Sequence, residues 1–303
     1  MKLFRVFIIP AFLVIVLAGC EKNSPVELTE DDSGSSTEVA VEKTFTVQEP
    51  IDPEGQNSTS FFIPAAADVD GQLTIAGSAY DDFQSHKEIS TARAILLDKS
   101  SPITVRDNMD TLGYRTLDMG TVMIDNIPLQ SVVARLADPR LVPFDTIGLR
   151  YALLNKDGLG GRGFEYTGTH AYQWSVSGVP GLPPFEAAIT SPAAIYVTAP
   201  IASDVIPIGR SLAIRWMGGG DVITILICSA GISPHPLLQL KVRRNTGSVT
   251  IPRKLLQLLP VSQSRFLFSV TSENKETIRV TRYTGAIAVR AITSHTVLFN
   301  VRR

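Results

Sequence analysis

The chain has 303 residues, a formal net charge of −1, 44% hydrophobic residues and only two cysteines. That length and apolar content suffice for two ordinary domains with real cores. The two cysteines exclude a disulfide framework and a cysteine-based zinc site.

The N-terminus carries Lys2 and Arg5, then an apolar run from Val6 to Leu17 broken only by Pro10. A membrane-spanning helix needs about 20 apolar residues. A basic start, a shorter apolar stretch and small residues at its end read instead as a secretory signal peptide over 1–19. The end here is Leu17-Ala18-Gly19-Cys20. This sequence resembles the lipobox of bacterial lipoproteins. The resemblance implies cleavage before Cys20, a diacylglycerol on the Cys20 thiol and an acylated (palmitate-type) amino terminus. Two or three acyl chains give stable anchoring where one is marginal. The alternative is an ordinary signal peptide followed by a chance cysteine. Glu21, rather than Asp, follows Cys20. In a Gram-negative cell the family then implies the outer membrane, with periplasmic or surface face open.

Residues 20–60 are rich in Glu, Asp, Ser, Thr and Pro, with EDDSGSSTE at 30–38 the clearest part. Such a segment buries too little apolar surface to offset its ordering entropy, so a flexible acidic tether is expected. As a coil of about 40 residues it would reach on the order of 35 Å.

From residue 61 the texture is that of an all-β protein, with short β-branched runs separated by Gly, Pro, Asn and Asp. Strands are expected at 72–80, 91–98, 120–125, 147–154, 170–178, 185–191, 193–200, 211–216, 221–229, 237–242, 247–252, 265–272, 276–283 and 287–301. Their spacing predicts two tandem β-sandwich domains, 61–192 and 193–303. PRKLLQLLP at 252–260, bracketed by prolines, predicts one or two helical turns. Trp174 and Trp216 are expected in the cores. Cys228, in the apolar run DVITILICS, is expected as a buried, inert thiol.

The last hundred residues have a distinct grammar: a strand ending at Trp216, the turn Gly218-Gly219-Gly220-Asp221, an alternating strand, then Asn245-Thr246-Gly247-Ser248 and a strand ending at Pro252. This resembles the Ig-like domain of Ser/Thr-rich, GPI-anchored fungal wall proteins, also found in bacterial surface proteins. It departs from the family near Thr250, where an aromatic is usual. The resemblance implies an Ig-like fold and an extracytoplasmic setting, and no catalytic residue.

Charge is unevenly spread. Residues 21–110 carry 18 acidic and 6 basic side chains, and residues 240–303 carry 2 and 12. The bland reading is mutual neutralisation or arginines scattered over every face. The sharper reading is an anionic partner, namely lipid head groups, lipopolysaccharide or an acidic glycan. Arg243, Arg244, Arg253 and Lys254 flank GSVTIP and would lie together if that strand closes a hairpin. Few aromatics accompany them, which argues against nucleic acid.

Catalytic signatures are sparse. There is no G-x-S-x-G or H-E-x-x-H. His86, His170, His235 and His295 lie far apart in sequence, with no metal-ligand spacing. DGLGGRGF at 157–164 lacks the Lys-Ser/Thr of a phosphate loop and reads as a hairpin loop. ADVDGQ at 67–72 opens like a calcium loop, with Asp68 and Asp70, but has Ala79 where the bidentate glutamate belongs; Asp81 and Asp82 could add oxygens. No cofactor is implied. The expected function is a lipid-anchored, non-catalytic envelope protein that binds an anionic glycan, lipid head groups or an envelope protein. The alternatives are an assembly lipoprotein of a membrane complex, or a glycan-active enzyme using a carboxylate pair such as Asp118 and Asp125.

Overall fold

The structure is a computed structural model that describes residues 37–40, 69–104, 111–136, 145–154, 164–230, 236–260 and 264–302. The signal peptide, Cys20, His235 and residues 157–163 of the glycine-rich loop lie outside the described residues, as does the tether expected over 20–60 except for 37–40. Among the described residues no helix is long and apolar enough to cross a membrane.

The chain is all-β. In order, the strands are β1 (Thr37–Ala40), β2 (Gly71–Asp81), β3 (His86–Thr104), β4 (Thr111–Thr116), β5 (Val122–Ile124), β6 (Ile127–Pro128), β7 (Gln130–Leu136), β8 (Asp145–Leu154) and β9 (Ala171–Val176). There follow β10 (Phe185–Thr190), β11 (Ala193–Ala199), β12 (Val205–Pro207), β13 (Leu212–Gly219), β14 (Ile223–Ser229), β15 (Pro236–Val242), β16 (Ser248–Ile251), helix α1 (Arg253–Leu256), β17 (Arg265–Arg279) and β18 (Ala286–Arg302).

One large sheet runs β1-β15-β14-β17-β18-β2-β3-β8-β7, with β12 also on β18 and β4 on β3. Two small sheets, β10-β9-β5-β6 and β11-β13-β16, supply the second layers. Strict alternation makes this possible. In β14, Ile223, Ile225 and Ile227 point inward while Thr224, Leu226 and Cys228 occupy the other face. A period of two puts one face of each strand in a core.

Each small sheet covers its own core. The first holds Leu73, Ile75, Trp174, Val176 and Ile189. The second holds Ile214, Trp216, Ile225, Phe266 and Phe299. The cores are not divided at the expected boundary, residue 193. The hairpin β17–β18 is paired from Arg265↔Asn300 to Arg279↔Ala286, about 50 Å at ~3.4 Å per residue. Its near half, with Phe266, Phe268, Val297 and Phe299, belongs to the second core. Its far half, with Val280, Ile287, Val289 and Ala291, belongs to the first. Between them sit Ser272, Thr293 and His295, all buried and polar.

Two expected strands, 265–272 and 276–283, are thus one. The polar stretch Ser272–Lys275 is no turn, because β18 offers an unbroken partner strand and cross-strand pairing overrides local propensity. The helical turns are present, with Leu255, Leu256 and Leu259 buried. Thr37–Ala40, expected in the tether, pairs antiparallel with Gln239–Val242 at the sheet's edge, Glu38 opposite Lys241.

Candidate functional site

The turn grammar of the last hundred residues has a structural meaning. Trp216 lies in the second core and its indole N–H donates to Asn245 Oδ1 at 3.0 Å. The same oxygen accepts from Gly247 N–H, and the Asn245 amide donates to the Gly218 carbonyl. Asn245 therefore ties together the tryptophan and both turns. Gly218 must be glycine: its φ is +82°, and a Cβ would stand 1.8 Å from the Ala194 carbonyl oxygen.

The basic residues singled out from sequence do not converge on a hairpin. β15 pairs in the large sheet with β14, whereas β16 pairs with β13 in the three-stranded sheet. Arg243 and Arg244 precede β16, and Arg253 and Lys254 follow it. All four are exposed, as two pairs separated by about 13 Å of strand.

The two carboxylates considered as an acid–base pair are held in separate local networks. Asp118 accepts from the Tyr151 hydroxyl at 2.5 Å and from Gly120 N–H at 2.8 Å. The Tyr151 hydroxyl above all holds its carboxyl below the usual carboxylate range. Burial, with Asp118 beside it, pushes the Tyr151 phenol up to about 12. Asp125 and Asn126, both at positive φ, form the two-residue turn between β5 and β6. The Asp125 carboxylate accepts from Gln173 N–H and from His170 Nε2. Asp70 is likewise occupied, by the Lys99 ammonium and Ala286 N–H, while Asp68 lies outside the described residues. Cys228 is half-buried, and burial pushes its thiol up to about 11.

The chemistry concentrates elsewhere, at the end of β2 and the start of β3. Asp82 accepts from the backbone N–H groups of Gln84 and Ser85 and from the Ser85 hydroxyl. That Asx-type turn closes the hairpin and leaves Asp81 directly opposite His86. His86 Nδ1 lies 2.5 Å from Asp81 Oδ1, and its Nε2 lies 3.2 Å from Glu88 Oε1. Both nitrogens face carboxylates, an arrangement that favours the imidazolium, in which both donate. These bonds, Asp81 first, raise its pKa.

The other Asp81 oxygen meets His295, 214 positions away in sequence, at 3.0 Å. His295 is 3% exposed. Its Nδ1 accepts the Val197 N–H at 2.8 Å, as Thr293 Oγ1 accepts the Ile195 N–H at 3.1 Å. Both amides lie on the edge of β11 that does not face β13, and β18 side chains satisfy them. His295 Nδ1 therefore carries no proton, and Nε2 donates to Asp81. The His86 and Tyr196 rings approach His295 edgewise, with centroids 6.2 and 6.3 Å away.

Asp81, His86 and His295 offer ligand atoms within 4.8 Å of one another. The set nevertheless does not fit a metal. A histidine ligating through Nε2 keeps its proton on Nδ1 and donates it onward, but His295 Nδ1 faces a donor. Both His86 nitrogens are already committed to carboxylates. The arrangement holds charge and fixes β11 against β18.

This cluster escaped the sequence reading because it is a product of topology. A signal did exist. On the inward face of β18, Ile287, Val289 and Ala291 are followed by Thr293 and His295 before Val297 and Phe299 resume the apolar pattern.

No protein-family model matches the chain, and no curated protein does. Among solved structures, the fibronectin(III)-like modules of Clostridium thermocellum CbhA match at 13% identity and a TM-score of 0.23, over 76% of this chain and 94% of that one. The yeast delta-COP-I mu-homology domain, in complex with a Dsl1 WxWxV peptide, matches at 9% identity and a TM-score of 0.20, over 77% and 98%. At these scores neither match bears on function.

Proposed function

We propose that this protein is a lipid-anchored, non-catalytic component of the bacterial cell envelope that engages its partner through the β-sandwich body. The observation that carries this is Leu17-Ala18-Gly19-Cys20 at the end of a short apolar run behind a basic N-terminus. Sixteen residues lie between Cys20 and Thr37, a spacer between a lipid at Cys20 and the first described strand. The Ig-like grammar around Trp216 and Asn245 supports an extracytoplasmic setting. The engagement of Asp118 and Asp125 in local hydrogen bonds supports a binding rather than a hydrolytic role. The ligand class we assign is anionic, a lipid head group or an acidic glycan, met by the exposed pairs Arg243/Arg244 and Arg253/Lys254 and by the basic excess around them.

Metabolic lipid labelling tests the anchor. Wild type should take up label and Cys20→Ser should not; an unlabelled wild type overturns the reading. Protease shaving of intact cells then sets the face. Digestion places the partner outside the cell, and protection favours the assembly role at the periplasmic face. Charge reversal at Arg243, Arg244, Arg253 and Lys254 should weaken binding to anionic vesicles or acidic glycan at low salt. Unchanged binding removes the anionic assignment.

A further inference from the structure

We propose that His295 is a proton-operated latch on the seam between the large sheet and the three-stranded sheet: acid protonation of its Nδ1 displaces the Val197 amide and frees β11 from β18. The geometry permits only one neutral tautomer. Val197 N–H points at Nδ1 from 2.8 Å, and Asp81 Oδ2 receives Nε2–H. A proton taken from solvent onto Nδ1 sets two donors face to face. The Val197 amide then loses its acceptor on a strand whose opposite edge is already paired with β13. A buried backbone N–H without a partner is strongly disfavoured, so the edge of β11 must move to find water. The Ile195 amide, held by the Thr293 hydroxyl, has no titrating acceptor and stays behind as the hinge.

The groups facing His295 are Asp81 on β2, His86 and Glu88 on β3, and the Tyr196 ring on β11; β17 presents uncharged Val270 opposite it. Burial opposes the charged ring most strongly, and Asp81 and Glu88 favour it while the His86 cation opposes it. The balance lies with the neutral ring, and the His295 pKa is lowered. His86, paired with two carboxylates, is raised.

The two histidines thus work in opposite directions. An unfolded histidine titrates near 6.5. The stability tied to neutral His295 is complete above that value and is lost as pH falls through the lower folded one. The stability tied to charged His86 is complete below about 6.5 and is lost as pH rises through the higher folded one. The seam is tightest between these limbs, and the acid limb is the one that releases β11.

Residue-resolved amide exchange on the full chain tests this, with His295 ring nitrogens followed by NMR in the same samples. Between pH 7.5 and 5, after correction for intrinsic exchange, Val197 protection should fall at least tenfold while Ile225 and Val270 keep theirs. The fall should share its midpoint with the His295 titration. His295→Asn places an amide oxygen near the Nδ1 position and cannot take the proton, so Val197 protection should become pH-independent. His86→Gln, which removes the neighbouring cation, should move the His295 midpoint upward. Should His295→Asn not fold, the wild-type curves decide alone. Flat Val197 protection through the His295 titration, or a proton on Nδ1 at pH 7.5, overturns the latch.

Discussion

Trp174 and Trp216 are both buried, one in each core, but their surroundings differ. The indole N–H of Trp216 has an acceptor in Asn245. That of Trp174 is buried with no acceptor among the described residues. The difference extends to the cores. The second is almost purely aliphatic and phenyl, from Ile214, Ile225, Leu238 and Leu240 to Phe266, Phe268 and Phe299. The first mixes small residues such as Ala92, Ala94 and Ala187 with Tyr151 and Tyr172. Each of those phenols needs an outside partner: Tyr151 donates to Asp118, and Tyr172 accepts from Thr167 N–H. An aliphatic core is sealed by its own shape, whereas an aromatic core with polar tips depends on loops to complete it.

The largest effects test whether the two cores are separable. Phe299→Ala in the second and Trp174→Ala in the first should each cost about 3–5 kcal/mol. Because β17 and β18 run through both, each variant should lower one common transition. Denaturant unfolding followed separately at a probe in each core checks this. Two midpoints, only one of which moves with each variant, would mean that the cores melt independently and that the hairpin does not couple them.

Replacing each tryptophan by phenylalanine sharpens the comparison at smaller scale. Trp216→Phe loses the bond to Asn245, worth about 1 kcal/mol net, together with some packing. Trp174→Phe loses similar packing but also removes a buried donor that had no acceptor, which returns part of the cost. Trp216→Phe should therefore be the worse variant by about 1–2 kcal/mol, measured as the shift in urea midpoint at constant slope. Equal losses would show that the Asn245 bond adds nothing to burial.

The same contrast explains what could be read without coordinates. The strands of the second core are legible because Ile223, Ile225 and Ile227 alternate strictly with residues of the other face. Pro252 and Pro260 bracket the helical turns, and Asn245-Thr246-Gly247 marks a reversal. The Asp81–His86–His295 cluster was not legible, since it needs β18 laid parallel beside β2, a pairing across more than two hundred residues. The basic pairs were misplaced for a related reason. Local sequence shows that the chain turns after β15, but not that β16 then leaves for the other sheet. β1 was missed because Thr37–Ala40 acquires its strand character from the edge of β15, within a composition that otherwise argues against order.

The smallest predicted effect lies where the sequence most suggested a turn. Glu273 sits at the polar centre of β17, and both its oxygens meet Arg290 of β18: Nε to Oε1 at 2.5 Å and a terminal guanidinium nitrogen to Oε2 at 3.0 Å. This forked pair spans the hairpin near the level at which it passes from one core to the other. Both side chains keep about a fifth of their surface in solvent, so screening limits the gain. A double-mutant cycle with Glu273→Gln and Arg290→Gln should give a coupling of about 0.5–1 kcal/mol, smaller at 1 M salt. The pair aligns two strands that backbone pairing already joins, so its loss should leave the single transition intact while loosening amides near Asn274. A coupling of zero would assign the continuity of β17 to its ladder with β18 alone, and the two cores would then be joined without help from charge.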